Sequence, residues 1–238
     1  MSSLPNTSYD QSKKAEMQEF LEYMYAIKYC NPNLKFDEKI VYNQLKNRNL
    51  PDSEKNEYGE GIDVRRFFSR WEENFKNKNV NAFCDEVNWK YWFQFVNKLG
   101  YQDEFIKLYI PINMPHLYEG VNELFDFIAN EGIIHQSKVA SFTRIDNVIV
   151  RLRKGDWESA FKIIDFINNN KYLKTGLNKN NPFVPSINGI GIMEEHGNSY
   201  NTDISQFIAR YIRKKHAMGE KVNIDEFREF LKSNCYDE

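Results

Sequence analysis

The sequence predicts an α+β fold: a helical N-terminal region packed on a mostly antiparallel sheet with flanking helices. Two observations support this prediction. Apolar residues recur at helical spacing in the first hundred residues, whereas segments with period-two alternation take turns with helical ones after Gly100. The 238 residues, 41% of them hydrophobic, can bury a core without cross-links. We therefore predict a helical region over residues 1–100 and an α+β domain over residues 101–238.

Composition and charge exclude several classes of protein. The 32 basic and 34 acidic residues give a net charge of −2, which does not favour nucleic acid as a partner. Cys30, Cys84 and Cys235 are far apart and form no CxxC pair, so they predict neither a zinc site nor a disulfide framework. No apolar run approaches the roughly 18 residues needed to cross a bilayer, and the N-terminus has no apolar signal segment. These features predict a cytoplasmic protein that binds no membrane.

The predicted N-terminal region contains four segments. Ser12 is the candidate N-cap of the first helix. Its apolar stripe consists of Met17, Phe20, Leu21, Met24 and Ile27. Residues 34–50 predict a second helix, and Asp63 is the candidate N-cap of a third. The aromatic face of that third helix consists of Phe67, Trp71 and Phe75. The aromatic-rich segment EVNWKYWFQFVNKLG predicts a last helix that ends at Gly100, a residue typical of the position after a helix.

Strands and helices alternate after Gly100. The segment FIKLYIPIN, residues 105–113, alternates with period two and predicts a strand. One face of this strand consists of Ile106, Leu108, Ile110 and Ile112. Further strands are predicted around Lys138, over residues 145–152 and in PSINGIGIMEE. The helices between and after them have the apolar stripes Leu117, Val121, Leu124, Phe125 and Ile128; Trp157, Ala160, Phe161, Ile164 and Ile167; and Ile204, Phe207, Ile208, Tyr211 and Ile212. A short helix over residues 224–231 ends the domain.

Basic side chains converge on this sheet if its strands are neighbours. Lys107 and Tyr109 share a face because they lie two residues apart on one strand. Lys138 ends the next strand, Arg144 precedes the following one and Arg151 lies along it. Because burial of unpaired cations is costly, such a face is either solvated or built to bind an anion. Phosphate is the obvious candidate anion, since arginine and lysine supply both charge and hydrogen-bond donors.

Several motifs occur in an order that resembles the HopA-type effector family. The order is IKLYIPIN, IIHQSKVA and TRIDNVIVRL, then a helix with the pattern W-x-x-A; VPSINGIGIMEEHGNSY follows further along. The family has a KVYVN-like strand, an SKVA segment, an R-x-D-x-I-V strand and a later P-x-x-T-x-x-x-x-G-I-G segment. The resemblance covers about residues 105–212 and leaves the first hundred residues unmatched.

The HopA-type family is related to phosphothreonine lyases and to the lyase component of class V lanthipeptide synthetases. The resemblance therefore implies a lyase that removes phosphate from phosphoserine or phosphothreonine of a peptide or protein by β-elimination. This reaction needs a base for the α-proton, cations for the phosphate and an acid for the leaving oxygen. The resemblance implies no cofactor and no metal, a phosphorylated peptide or protein as substrate, and a partner kinase that supplies the phosphate.

The resemblance assigns catalytic roles to a small set of residues. Lys138 of SKVA matches the lysine expected to act as general base. Lys107 matches the first lysine of the K-x-Y/H strand, which contacts phosphate or supports the acid. Tyr109 stands where the phosphothreonine lyases have a histidine acid, so His135 and His116 are alternative sources of the acid.

Three arginines are the candidate phosphate ligands. Arg144 matches the arginine that precedes the aspartate of the R-x-D motif, and Arg151 lies on the same strand. The family often has an S-F-G segment followed closely by an arginine. Here residues 199–201, Ser-Tyr-Asn, stand in that place, and the nearest arginine after them is Arg210. This departure leaves two alternatives open, an inactive relative and a protein that binds another anion.

Two functions from different classes therefore remain open on the sequence. The first is the cofactor-free lyase. The second is a non-enzymatic effector or inhibitor that binds a host or partner protein through the same fold, which the aromatic N-terminal half and the missing arginine favour. Such an effector would be secreted without a cleavable signal. Solvation of the charged face would account for its basic residues without any ligand, and no motif supports a nucleotide-handling enzyme.

Overall fold

The structure, a computed structural model, describes residues 11–47, 81–87, 90–97, 104–140, 144–196 and 199–234. It confirms the α+β class, because helices accompany a seven-stranded antiparallel sheet. The chain forms two compact units, one from residues 1–45 and 198–238 and the other from residues 46–197. This division differs from the boundary predicted near Gly100, because the two ends of the chain contribute helices to the same unit.

Helices and strands follow one another in short groups along the described part of the chain. The helices there are α1 (Gln11–Cys30), α2 (Glu38–Asn47), α3 (Met114–Asn130), α4 (Trp157–Asn169), α5 (Lys171–Thr175), α6 (Tyr200–Met218) and α7 (Ile224–Asn234). The strands there are β1 (Asn81–Val87), β2 (Lys90–Asn97), β3 (Glu104–Ile110), β4 (His135–Ala140), β5 (Val148–Arg153), β6 (Ser186–Ile187) and β7 (Ile190–His196). The predicted helix with Phe67, Trp71 and Phe75 lies outside the described residues. No helix in the described ranges has both the length and the apolar character needed to cross a bilayer.

The sheet places β5 between β3 and β4. Its strand order is β1-β2-β4-β5-β3-β7-β6, and every neighbouring pair is antiparallel. Strands β3 and β4 therefore run in the same direction, and α3 connects them because parallel strands need a crossover of this length. The strands that carry the predicted site residues are thus direct neighbours through β5.

The prediction of an entirely helical region before Gly100 is wrong for residues 81–97. These residues form β1 and β2, which pair with each other and, through β2, with β4. The physical reason lies in the composition of β2, where Tyr91, Phe93 and Phe95 recur every second residue. Aromatic residues favour strands, and pairing with β4 supplies the partner that a local pattern does not show.

One face of the sheet forms the core of the 46–197 unit together with α3 and α4. The strand residues on that face are Ile106, Leu108, Ile110, Val139, Val148, Val150 and Leu152. The helix residues that pack on them are Leu117, Val121, Leu124, Phe125, Ile128, Ala160, Ile163, Ile164 and Ile167. These sets contain the apolar stripes predicted for α3 and most of the stripe predicted for α4. The opposite face of β3, β5 and β4 therefore carries the polar alternates.

A buried amide holds the chain in place just after β3. The Asn147 side chain accepts a hydrogen bond from the backbone N–H of Ile112 at 3.0 Å and donates one to the carbonyl oxygen of Ile112. On the other side, the Asn113 N–H donates to the Gly176 oxygen at 2.8 Å. Gly176 ends α5, a short helix of five residues. These bonds satisfy buried backbone groups and fix the end of β3.

The second unit is helical in its described part. Its core consists of Met17, Phe20, Leu21, Met24, Phe36, Val41, Leu45, Ile204, Ile208, Tyr211, Ile212, Val222, Ile224 and Phe227. Gln18 ties α1 to the start of α7, because its side chain accepts from the Ile224 N–H at 2.7 Å and donates to the Val222 oxygen at 3.2 Å. Gly219 ends α6 in the left-handed conformation, which glycine adopts without steric cost.

Candidate functional site

The predicted basic residues meet on one face of the sheet, which we call the cationic face and define by Lys107, Arg151 and Lys138. Lys107 on β3 lies opposite Arg151 on β5, and Arg151 lies opposite Gln136 on β4. These three residues form the first cross-strand row, the Arg151 row. Directly paired residues in a sheet point to the same side. The three side chains therefore project from the same face.

A second row lies two residues along the strands. Tyr109 on β3 is paired with Ile149 on β5, which is paired with Lys138 on β4. We call it the Ile149 row. With neighbouring strands about 4.8 Å apart and a rise of about 3.4 Å per residue, the Cα atoms of Lys107 and Lys138 are roughly 12 Å apart. Two lysine side chains at this separation can reach a single ligand placed between them.

The cationic face is buried at β3 and more open at β4. Lys107 is 7% exposed and Tyr109 only 1%, whereas Arg151, Gln136 and Lys138 are half-buried. A ligand would therefore approach from the β4 and β5 side. Tyr109 is almost fully buried, and the catalytic role predicted for it stays a prediction. Lys107 lies deeper than Arg151 but keeps some access.

An ordered segment after α5 covers the Tyr109 end of the face. Asn180 donates from its side chain to the carbonyl oxygen of Tyr109 at 3.0 Å, and Phe183 and Val184 are each 1% exposed. Gly191, which pairs with Tyr109, permits this close packing: a Cβ at Gly191 would lie 2.7 Å from Asn180 Nδ2 and 2.8 Å from Val184 Cγ1. Gly191 is therefore a point where the backbone of β7 and the segment after α5 approach closely.

The guanidinium of Arg151 lies against an aromatic ring. Its Cζ atom is 5.7 Å from the centre of the Phe105 ring. Phe105 lies two residues before Lys107 on β3 and so projects from the same face. The separation is within the range of a cation–π contact. The Arg151 head group is thus directed along the strand towards Phe105 and away from the Ile149 row.

Arg144, a predicted phosphate ligand, is engaged by an acidic neighbour. Its Nε donates to one carboxylate oxygen of Asp146, and an Nη donates to the other at 2.7 Å. Arg144 is 8% exposed and Asp146 2%. A buried bidentate pair of this kind is costly to break. The structure therefore assigns the guanidinium to Asp146, and its predicted role with phosphate would require this pair to open.

His135, a predicted catalytic residue, lies on the opposite face of β4 from Lys138. It is fully buried against the helices, with its ring centre 5.4 Å from that of Phe125 and Nδ1 2.8 Å from Ser137 Oγ. Burial lowers the pKa of His135 to about 4. The spacing of His135 and Lys138 predicts this arrangement, because strand residues an odd number apart point to opposite faces and these two are three residues apart. His135 is therefore separated from the cationic face by the sheet itself.

Arg210, the third predicted phosphate ligand, belongs to the other compact unit. It is exposed on α6, where its Cζ lies 6.0 Å from the centre of the Phe207 ring. Ser199 is the N-cap residue of the same helix, so the Ser-Tyr-Asn segment that replaces the family's S-F-G begins α6. The role predicted for Arg210 stays a prediction.

Two residues of the cationic face were missed by sequence reasoning. Gln136 completes the Arg151 row, and Phe105 contacts Arg151. Both could have been found, because each lies two residues from a predicted site residue on the same strand and so shares its face.

In the described parts of the chain, no group of three or more histidine, cysteine, aspartate or glutamate side chains is arranged to hold a metal ion.

Comparison with known proteins identifies the fold. An effector protein from Pseudomonas syringae pv. syringae strain 61 matches with a TM-score of 0.60 at 14% sequence identity, and the match covers 95% of each chain. An effector protein from Pseudomonas syringae pv. tomato strain DC3000 matches with a TM-score of 0.60 at 12% identity over 96% of each chain. No protein-family model matches the sequence, and no curated protein matches it. The chain therefore shares its architecture with bacterial effectors.

Proposed function

We propose that the cationic face binds a phosphorylated serine or threonine side chain and that the chain removes its phosphate by β-elimination. The observation that carries this proposal is the register that aligns Lys107 with Arg151 and places Lys138 one row away. The two cations of one row can bind the phosphate. Lys138, whose Cα lies roughly 12 Å from that of Lys107, can extend its side chain towards the same ligand and accept the proton from the carbon next to the one that carries the phosphate.

The phosphate would bind in the Arg151 row. Arg151 supplies a planar fork of donors and Lys107 a compact charge, and both favour the doubly charged phosphate over a neutral side chain. Gln136 adds a neutral donor on the accessible side of the same row. Because Lys107 is nearly buried, its attraction for the phosphate is screened little by solvent.

The proton would be removed in the Ile149 row. Lys138, as the neutral amine, takes the α-proton of the bound residue, and the C–H electron pair becomes the Cα=Cβ double bond. The Cβ–O bond breaks, and its electron pair leaves with the phosphate. The leaving oxygen takes one proton from the ammonium of Lys107, so hydrogen phosphate departs and no redox change occurs. Exchange with water then returns a proton to Lys107 and removes one from Lys138.

A phosphorylated substrate implies a kinase that acts first. The chemistry needs only a phosphomonoester on a carbon next to an acidic Cα–H, so the substrate class is a phosphopeptide or phosphoprotein. By analogy with the effectors that share its fold, we propose that the chain acts on a protein of another cell. The partner kinase would then belong either to the same system or to that cell.

Mass spectrometry of a phosphothreonine peptide tests the reaction. We expect the wild-type chain to convert the peptide to a dehydroamino acid with loss of phosphoric acid. Lys138→Ala should slow this loss by at least about 100-fold, because a positioned general base contributes about that much or more. Lys162→Ala is the matched control: Lys162 is exposed on α4, 3.0 Å from Glu158, and its loss should leave the rate unchanged.

A binding function without chemistry is the second candidate. The observation in its favour is the buried Arg144–Asp146 pair, which removes one arginine from the predicted set of phosphate ligands. In this case the chain would bind a phosphorylated partner through Lys107 and Arg151 and leave the phosphate in place. Retention of the phosphate on every tested peptide that the wild-type chain binds would contradict the lyase and favour this candidate.

A further inference from the structure

We propose that a cavity in the helical unit binds a free α-amino acid with a polar, uncharged side chain. The cavity lies between α2 and the first two turns of α6, and its volume is about 380 Å³. Its described lining residues all belong to the unit formed by residues 1–45 and 198–238. The proposal is therefore independent of the cationic face, whose residues belong to the other unit.

The walls of the cavity are strips of side chains on two helices. On each helix the lining residues are spaced three or four positions apart, and residues at these spacings are neighbours on a helix surface. The volume lies in the range of cavities that enclose small molecules, so one small ligand suits it better than a folded partner. The described lining residues are Glu38, Lys39, Tyr42, Asn43, Thr202 and Ser205.

Two opposite charges line the cavity side by side. Glu38 is half-buried and Lys39 is exposed, and neither side chain has an ion-pair or hydrogen-bond partner among the residues that the structure describes. A ligand with a single charge would meet one unmatched charge of its own sign. An α-amino acid carries an ammonium and a carboxylate on the same carbon and so matches both.

The position of Glu38 in the first turn of α2 explains only half of this pair. A carboxylate there is stabilised by the helix dipole, whereas a cation such as Lys39 at the same helix end is not. Asp37 lies outside the lining, and its side chain accepts hydrogen bonds from the N–H groups of Lys39 at 3.2 Å and Ile40 at 3.3 Å. Asp203, beside the cavity on α6, also lies outside the lining and has interactions within the chain. The described lining therefore presents one charge of each sign.

The remaining lining groups are neutral and suit a polar side chain of the ligand. Among the described residues, the side chains of Asn43 and Thr202 have no hydrogen-bond partner. The hydroxyl of the fully buried Ser205 donates to the Asn201 oxygen at 2.6 Å, so its own oxygen is left as an acceptor. An amide and two hydroxyls together donate and accept, as a ligand amide or hydroxyl requires. Tyr42 adds an aromatic wall.

Saturation-transfer NMR of the full chain with a mixture of the common L-amino acids tests the proposal. We expect the strongest signals from serine, threonine, asparagine and glutamine. The amino acid with the strongest signal is then titrated by calorimetry in three forms: free, as the N-acetyl derivative without the ammonium, and as the carboxamide without the carboxylate. Each derivative should bind at least about tenfold more weakly than the free form, because it leaves one charged group of the cavity unmatched.

Two substitutions assign the charges to their partners. Glu38→Gln should weaken binding of the free amino acid about tenfold and leave binding of the N-acetyl derivative unchanged, since that derivative lacks the ammonium. Lys39→Met should act in the same way on the free amino acid and the carboxamide. Glu158→Gln is the matched control, because Glu158 is exposed on α4, lies 3.0 Å from Lys162 and belongs to the other unit. Circular dichroism spectra like that of the wild type confirm that the variants are folded.

The outcomes either support the proposal or overturn it. Binding that is selective for polar amino acids and is lost in Glu38→Gln and Lys39→Met supports it. Absence of a signal from every amino acid at about 10 mM, which occupies even a site with a millimolar Kd, would overturn it. So would equal binding of the blocked derivatives, or binding that neither substitution changes. Phosphopeptides take no part in these experiments, so failure of the lyase and failure of this proposal are distinguishable.

Discussion

Burial makes His135 the residue whose protonation opposes folding. Its side chain is fully buried, and its Nε2 makes no hydrogen bond within the described residues. The pKa of His135 is therefore lowered from 6.5 to about 4, since charging the ring would place an uncompensated cation among apolar helix residues. Above pH 6.5 the ring is neutral in both the folded and the unfolded chain. As the pH falls from 6.5 towards 4, only the unfolded chain takes up the proton.

This difference predicts a loss of stability in mild acid. Between pH 7 and pH 4.5, His135 should lower the free energy of unfolding by about 2–3 kcal/mol. The measurement is urea unfolding of the wild type and of His135→Leu at both pH values. The variant should lose less stability than the wild type by about that amount, whereas the control His216→Gln, which replaces a half-buried histidine, should not. If His135→Leu lost as much free energy of unfolding between pH 7 and pH 4.5 as the wild type, another group would control the response to acid.

Sequence spacing predicts which strand face a single residue occupies, but not which partner its side chain binds. Lys107 and Tyr109 share one face of β3, as their spacing of two residues predicts. The engagement of Arg144 by Asp146 was not predicted, although the two residues are close in sequence. The R-x-D motif itself contains the carboxylate that binds the arginine, two residues along the chain. A buried arginine is satisfied first by the acid within its reach.

The β6–β7 hairpin is the element where packing depends most on one small residue. Its turn, Asn188-Gly189, has positive φ at both residues, as a two-residue hairpin requires. Gly191 then meets the segment that contains Asn180 and Val184 at distances a side chain would not allow. The twist of the turn and the absence of a side chain thus together permit the segment to lie on β7.

Substitution of Gly191 should therefore destabilise the chain. We expect Gly191→Ala to lower the free energy of unfolding by about 1–3 kcal/mol, the usual cost of overpacking, because the new Cβ would force Asn180 away from the Tyr109 oxygen. Gly189→Asn is the matched control: nothing lies within 4 Å of a Cβ there, and asparagine tolerates positive φ. Its cost should stay below about 1 kcal/mol. Urea unfolding measures both, and equal costs would contradict the packing argument.

Elements with a strong local period were predicted well, and those whose pattern is ambiguous were not. The helices with stripes of buried residues, such as α3, and the strand β3 are where the periodicity indicates. The aromatic run that forms β2 predicts a helix, because short apolar runs suit either a helix or a strand. The segment forms a strand because it pairs with β4, about 40 residues further along the chain.

At the scale of the whole molecule, the chain divides into a unit from its middle and a unit from its two ends. The 46–197 unit contains all seven described strands and the helices that cover them. We therefore expect the fragment 46–197 to fold alone and to give one cooperative urea transition with a circular dichroism spectrum of mixed α and β structure. The fragment 101–238, which corresponds to the predicted domain, lacks β1, β2, α1 and α2 and should not fold cooperatively.

We expect fragment 101–238 not to fold cooperatively because each compact unit loses elements that cover its apolar residues or pair its strands. Without β2, the long edge of β4 has no partner for its backbone groups. Without α1, apolar residues of α6 and α7 such as Ile208 and Phe227, which are fully buried in the whole chain, lose much of their cover. A cooperative transition of fragment 101–238, with none for 46–197, would refute this division.

The sequence by itself determined the α+β class, the main helices and strands from β3 to α7 apart from α5 and the division of β6 from β7, and the sharing of one strand face by Lys107 and Tyr109. These follow from periodicity within about ten residues, which side-chain geometry on a strand or helix dictates. Only the tertiary structure decided that residues 81–97 join the sheet, that both chain ends form one unit and that Lys107 is level with Arg151. Register and partner choice depend on surfaces that fit only when distant segments meet, and no local pattern encodes that fit.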